Sequence, residues 1–253
     1  MVVVTATLRV LILGGTTDAR GLAERLLGRA DVDAVSSLAG RVASPRMPAG
    51  TVRVGGFAGA TGLAQWIDAH GIQAVIDATH PFAATISWNA AAAAAASHVP
   101  LLTLRRKAWV PVEGDRWHDA ASLQDAAQML PELGHRHFLT IGRQGVSSFA
   151  DVPGAWFLVR SIDPPQEPTP PQMELLLDRG PYSLEAEMAV MRGHRVDTVI
   201  TRNSGGQATA AKLAGARELG LPVVMVQRPV TPDGVLEVAD VQSAVEWVDA
   251  QTR

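Results

Sequence analysis

Short apolar runs recur along this chain, each separated from the next by a longer stretch with helical spacing. Strands that alternate with helices build βαβ units on a parallel sheet, because each crossover helix carries the chain back to start the next strand in the same direction. The first runs are "LRVLILG" (8–14), "VDAVSSL" (32–38), "TVRVGG" (51–56), "QAVIDAT" (73–79) and "PLLTLRR" (100–106), with helical stretches at about 17–29, 59–70 and 82–97. The segment "KAWVPVEGDRWHDA" then breaks the pattern with proline, glycine and two tryptophans, as a connection between domains would. Alternation restarts at "HRHFLTIG" (135–142), "AWFLVRSI" (155–162), "VDTVITR" (196–202) and "PVVMVQRP" (222–229), with helices near 119–133, 183–194 and 206–219. "GVLEV" (234–238) reads as an edge strand before a last helix, and "DPPQEPTPPQ" (163–172) is too rich in proline to be anything but a loop. The expectation is an α/β protein of two Rossmann-like domains, residues 1–108 and 109–253, on mainly parallel sheets with a cleft between them. Ligands of such sheets sit outside the carboxyl ends of the strands.

Composition acts mainly by exclusion. A chain of 253 residues that is 47% hydrophobic and 19% charged, with a net charge of -3, is globular and offers no field for nucleic acid. Cysteine is absent, which removes disulfides, thiolate nucleophiles and cysteine metal sites. "MVVVTATLRVLILGG" lacks the basic segment of a secretion signal, and no apolar run approaches the roughly 20 residues that span a bilayer. A cytoplasmic protein, monomeric or a small homo-oligomer, without membrane or nucleic-acid partners, is expected. No metal site is expected either, since His135 and His137 have no further ligand to support one.

The first strand runs into "GGTTDAR" (14–20). On the dinucleotide fingerprint G-x-G-x-x-G, Gly14 takes the first position, while Thr16 and Ala19 stand where the second and third glycines belong. The residues are small, and Gly15, Thr16 and Thr17 bring backbone N–H groups to a helix start, where a phosphate is favoured. Two readings stand at this point: the turn holds a nucleotide, or it only reverses the chain while Thr17 or Asp18 caps a helix. Asp18 would repel a phosphate and is assigned to capping, and Arg20 to a phosphate or substrate contact.

An enzyme specific for NAD carries an acidic residue about 20 positions beyond the glycines, on the ribose 2′-hydroxyl. Here "SSLAGR" offers Ser36, Ser37 and Arg41, hydroxyls and a cation suited to a 2′-phosphate. Any dinucleotide should therefore be NADPH, unless Arg41 is only a solvated loop residue. "DATHPFA" (77–83) places Asp77, Thr79 and His80 where the fourth strand ends. His80 either gives a hydrogen bond or proton to substrate, or Asp77 or Thr79 simply caps the next helix.

In the second half "GRQG" (142–145) also follows a strand, and "TRNSGGQATAAK" (201–212) sets a polar turn of Asn203, Ser204, Gly205 and Gly206 before a helix that carries Lys212. Such a turn can bind an anion, but the spacing is not that of a Walker P-loop, which speaks against ATP hydrolysis. Arg143, Arg160 and Arg202 recur where strands end, either as solvated surface or as partners of several substrate carboxylates, which arginine pairs bidentately. Tyr182 lacks the lysine four places on that short-chain dehydrogenases use, and no G-x-S-x-G elbow occurs.

Taken together, "ILGGTTDARGLAERL", "DATHPFAATISWNA" and "TRNSGGQATAAKLAGARELGLPVVMVQRP" resemble the precorrin-6A reductase family of cobalamin biosynthesis, in the family's order and across the whole chain. The resemblance implies an NADPH-dependent oxidoreductase that delivers hydride to one double bond of the precorrin-6A macrocycle, giving dihydroprecorrin-6. It implies the cofactor on the N-terminal domain and the tetrapyrrole in the cleft. Gly14, Gly15, Thr16, Thr17, Ser36, Ser37, Arg41 and Thr79 then fall to the cofactor. Arg20, Arg143, Arg160, Arg202, Lys212 and the 203–206 turn fall to the substrate. His80 is the candidate proton donor with Asp77 beside it, and solvent or a substrate carboxyl are rivals. Other readings remain: a cobalt-precorrin-6A reductase of the anaerobic pathway using NADH, a nucleotide-binding sensor without catalysis, or a transferase using a nucleotide sugar.

Overall fold

The computed structural model describes residues 7–40 and 43–252. The chain forms two units, residues 1–106 with 229–253 and residues 107–228. In the first, β1 (Leu8–Leu13), α1 (Thr17–Leu26), β2 (Val32–Leu38), β3 (Thr51–Val54), α2 (Gly59–Ala69), β4 (Ala74–Asp77), α3 (Ala84–Ala96) and β5 (Leu101–Leu104) follow one another. In the second come β6 (Trp117–Ala120), α4 (Leu123–Met129), β7 (Arg136–Leu139), β8 (Trp156–Ser161), β9 (Met173–Leu177), α5 (Leu184–Gly193), β10 (Thr198–Arg202), α6 (Ala211–Glu218) and β11 (Val223–Val226). The chain then returns to the first unit with β12 (Leu236–Val238) and α7 (Val241–Gln251).

The first sheet runs β3-β2-β1-β4-β5-β12, and the second β9-β8-β7-β10-β11-β6. Every pairing in both is parallel. Both have the strand order of a dinucleotide-binding fold, in which the direction of winding reverses between the two central strands and opens a crevice at their carboxyl ends. That point lies between β1 and β4 in the first unit and between β7 and β10 in the second.

The central strands are mostly apolar because helices cover both faces of the sheet, with polar residues such as Arg9 and Asp77 near their ends. In β1, Val10 and Ile12 pack with Leu22 and Leu26 of α1 and Ala244 and Val248 of α7. Leu11 and Leu13 pack on the opposite side with Leu63 and Ile67 of α2 and Ala90 and Ala93 of α3. The alanine run is thus a close-packed helix. In the second unit Phe138, Leu158, Val199 and Met225 meet Met191 of α5 and Leu213 and Ala216 of α6.

Four expectations change. Residues 229–253 do not belong with 109–228: Leu236–Val238 pairs in parallel with Leu102–Leu104, and α7 buries Ala244, Val245 and Val248 in the first core. The stretch read as a connection supplies β6, which pairs with β11 at the opposite edge of the second sheet. After the proline loop, Met173–Leu177 forms an edge strand on β8. The helices expected over 119–133 and 206–219 are shorter, and each is completed by a single tighter turn, at Leu130–Glu132 and at Gln207–Thr209. Pro131 explains the first, since it cannot donate inside an α-helix.

Candidate active site

At the first switch point the chain leaves β1 at Gly14, whose N–H donates to the Ser37 carbonyl at 2.9 Å. Gly15 turns with φ +113, a value L side chains rarely adopt, and a Cβ there would meet no protein atom within 4 Å. Thr16 is the N-cap of α1: its hydroxyl accepts from the Ala19 N–H at 3.0 Å and donates to the Ala78 carbonyl at 2.8 Å. One buried side chain therefore starts the helix and ties β1 to the end of β4. This corrects the capping assignment, which had gone to Thr17 or Asp18. Asp18 instead pairs with Arg106 at 2.9 Å, which offsets a carboxylate near the helix start. The Thr17 hydroxyl accepts from Arg20 at 3.0 Å.

β2 brings Ser36 and Ser37, both buried, alongside Ile12 and Leu13. The Ser37 hydroxyl accepts from Arg53 of β3 at 2.7 Å. Arg53 did not figure among the sequence candidates, although its place two residues before a Gly-Gly pair at a strand's end was visible. Arg41, the cation expected here, lies outside the described residues.

β4 delivers Asp77 beside Leu13. Asp77 is buried, and its Oδ1 accepts from the Thr79 N–H at 3.1 Å and the Thr79 hydroxyl at 2.6 Å. The pair locks the turn after the strand. The N-cap of α3 is Ala83, which has no capping side chain, so neither Asp77 nor Thr79 caps that helix. His80 is exposed, and its Nδ1 accepts the Phe82 N–H at 3.2 Å, which puts the proton of the neutral ring on Nε2. Gly14–Thr17, Ser36, Ser37 and Asp77–His80 thus assemble at one carboxyl-end crevice. The turn fits a dinucleotide pyrophosphate: its backbone is open above Gly15, and α1 begins with N–H groups of Thr17 and Asp18 that the helix itself leaves unmatched.

At the second switch point Arg143 follows β7, Arg202 closes β10, and the 203–206 turn follows it. The Arg202 Nη2 donates to the Gln144 carbonyl at 2.7 Å, and burial lowers its pKa. The turn is held from several sides. Trp109 and Asn203 exchange two hydrogen bonds, at 2.8 and 3.1 Å, and the Trp109 indole donates to the Gly206 carbonyl at 3.1 Å. Arg228 donates to the carbonyls of Asn203 and Ser204 at 2.8 and 3.1 Å. The Asn203 side chain is therefore a brace for the turn.

Arg160 and Lys212 do not join Arg143 and Arg202. Arg160 is 6% exposed, pairs with fully buried Glu187 at 2.8 Å and lies 3.7 Å over the Tyr182 ring. An arginine inside an apolar strand needs a buried counter-ion, and α5 supplies it. Lys212 is buried, donates to the Thr209 carbonyl at 2.8 Å and sits 4.9 Å from the Trp109 ring centre. Burial, with Arg160 nearby, pushes its pKa down to about 7. Both side chains are buried and already engaged within the second unit, which departs from their assignment to substrate contact. Among the described residues no group of His, Asp and Glu could hold a metal, and no helix is long and apolar enough to cross a membrane.

Comparison with known proteins points to one family. A family model described as precorrin-6x reductase CbiJ/CobK matches residues 9–249. A precorrin-6A reductase of Rhodococcus erythropolis is 56% identical over 97% of this chain and 99% of its own length. One of Mycobacterium tuberculosis is 46% identical over 95% of this chain and 97% of its own. A solved structure of CobK precorrin-6A reductase superposes with a TM-score of 0.89 at 38% identity, over 96% of this chain and 97% of the other.

Proposed function

The chain belongs to the precorrin-6x reductase family CbiJ/CobK, and from that premise we propose that it is a precorrin-6A reductase whose cofactor is NADPH and whose product is dihydroprecorrin-6. The observation that carries the cofactor is the end of β2. Where an NAD enzyme presents a carboxylate to the ribose, this strand closes on Ser36, Ser37 and Leu38. A carboxylate would repel a 2′-phosphate, whereas hydroxyls can donate to it.

When bound, the nicotinamide supplies the hydride. The chain's own residues then have separate tasks. Gly14 and Gly15 let the backbone approach the pyrophosphate, the start of α1 donates to it, and Thr16 fixes the turn to β4 through Ala78. Arg20 and Thr17, joined at 3.0 Å, lie on the first turn of α1 within reach of a phosphate placed there. His80 holds a proton on Nε2 that reduction of a double bond requires at the second carbon, and the Asp77–Thr79 lock fixes the turn that presents it. Arg143, Arg202 and the Gly206 N–H take carboxylates of the macrocycle, while the Ser204 N–H holds the turn by donating to the Arg202 carbonyl at 2.6 Å.

The test is a titration with NADPH and with NADH, followed by addition of precorrin-6A. NADPH should bind at least tenfold tighter and be oxidised on addition of the precorrin, and His80→Ala should lower turnover more than cofactor affinity. Equal binding of the two cofactors, or no oxidation with the metal-free precorrin but turnover with its cobalt form, would overturn the reading.

A further inference from the structure

Arg53 lies on β3, the edge strand of the first sheet, directly across from Ser37 in the parallel register. Its guanidinium turns toward the carboxyl end of β2. Nη1 donates to the Ser37 hydroxyl at 2.7 Å and to the Gly55 carbonyl at 3.0 Å, and Nη2 donates to the Gly56 carbonyl at 3.1 Å. The cation stacks 3.9 Å over the Phe57 ring, with Trp66 beyond it at 5.5 Å. Hydroxyl, carbonyls and aromatic face together leave the fork little freedom, so the entropy of ordering an arginine side chain is already spent.

The charge itself is not balanced. Among the described residues, none of the ion pairs includes Arg53. Every partner it has is neutral, although the group is half-buried and burial lowers its pKa. Elsewhere in this unit Arg9, Arg29, Arg105 and Arg106 each meet a carboxylate. Arg53 is thus a fixed, partly desolvated cation whose partners among the described residues are all neutral, next to the serine that stands where an NAD enzyme carries the ribose-binding carboxylate.

We propose that Arg53 is the specificity-determining residue that binds the adenosine 2′-phosphate of the cofactor, with Ser37 as its hydroxyl partner. This rests on the reading of the cofactor as NADPH. A 2′-phosphate seated at the end of β2 would accept from the guanidinium and from the Ser37 hydroxyl. The Ser37 hydroxyl, now an acceptor from Arg53, would turn to donate. The geometry also explains the Gly55–Gly56 pair: the two carbonyls that orient the fork belong to a turn in which Gly55 has φ +133.

The alternative is that Arg53 only ties the 55–56 turn to β2, and the test separates the two. Wild type, Arg53→Met and Arg53→Lys are titrated by calorimetry with NADPH, NADH and adenosine 2′,5′-bisphosphate. Arg53→Met should weaken NADPH and the bisphosphate by about 10- to 100-fold, the range expected for losing a hydrogen bond to a charged group. NADH should change less than threefold. Arg53→Lys, which keeps the charge but not the fork, should fall between. A parallel loss for NADPH and NADH, or no loss for the bisphosphate, would overturn the assignment and leave a structural tie. Wild type that binds NADH as tightly as NADPH would instead remove the cofactor reading, and the proposal with it.

Discussion

The two units share the order of five strands but add the sixth from different places in the sequence. In the first it is β12, the last strand of the sequence; in the second it is β6, the first strand of that unit. Their switch-point turns differ in the same measure. The turn after β1 is thin: Gly15 has open space where a Cβ would stand, and one threonine hydroxyl does the anchoring. The turn after β10 is enclosed, so that a Cβ at Gly205 would lie 2.1 Å from the Lys107 carbonyl oxygen and 2.8 Å from an Arg228 nitrogen. Buried charge follows suit. The first unit buries charges singly, at Asp77 and Arg105, and keeps pairs such as Arg9–Asp33 at its surface, while the second holds Arg160, Glu187 and Lys212 together inside. One turn leaves its backbone open, and the other is braced on several sides by Trp109, Lys107 and Arg228.

The largest effect should come from breaking the buried pair. Glu187→Ala strands the Arg160 cation without a partner, at a cost of about 3–5 kcal/mol to the second unit. The equivalent change at the surface, Asp33→Ala, should cost about 0–1 kcal/mol, since both partners are 44% exposed. Urea unfolding followed separately in each unit checks this; similar losses in the two would mean that the interior charges are solvated and the contrast is false. One Glu187 oxygen, Oε2, has no hydrogen-bond partner among the described residues. Glu187→Gln, which keeps shape but not charge, should therefore recover only part of the loss.

Acid should separate the units next. His137 is fully buried in β7, neither ring nitrogen has a partner among the described residues, and burial lowers its pKa from 6.5 to about 4. The unfolded chain takes up a proton as pH falls through 6.5, while the folded chain refuses it until about 4. Stability is thus intact above 6.5 and is lost progressively down to about 4, by about 3 kcal/mol at about 1.4 kcal/mol per pH unit. Melting temperature against pH should fall over that window for the second unit, and His137→Phe, facing Phe157, should flatten the slope. An unchanged slope would place the acid sensitivity elsewhere.

These buried charges also mark where the sequence was legible and where it was not. The central strands could be read because both their faces are apolar, as in "LRVLILG" and "PVVMVQRP". The edge strands could not: β6 is "WHDA", polar on its face, and β9 follows a proline loop. Nothing in "GVLEV" says that it pairs with Leu102–Leu104, some 130 residues earlier, because register across such a distance is set by the packed sheet. In the site, the glycine turn, the end of β4 and the second-unit turn were all placed by their position after a strand. Thr16 was misread because it had been aligned to a glycine, which hid an ordinary N-cap. Arg160 carried a signal that went unused. A cation inside "AWFLVRSI" calls for a buried carboxylate, and Glu187 in the "LEAEMAVM" helix was the place to look.

A smaller change than those at Glu187 and His137 tests the turns directly. Gly205→Ala must displace a backbone carbonyl as well as accept φ +68, and overpacking of this kind costs about 1–3 kcal/mol. Gly15→Ala meets no protein atom and bears only the strain of φ +113, about 1–2 kcal/mol. Binding should rank the other way. At Gly15 the added methyl stands in the space left for the cofactor, so NADPH affinity should fall at least tenfold while the second unit melts unchanged. At Gly205 the cofactor should bind as before, while the second unit melts lower and the KM for the precorrin rises. Calorimetric titration alongside thermal melts separates the two patterns. A Gly15→Ala protein that binds NADPH normally would show that the open space above the first turn is solvent rather than the seat of the pyrophosphate.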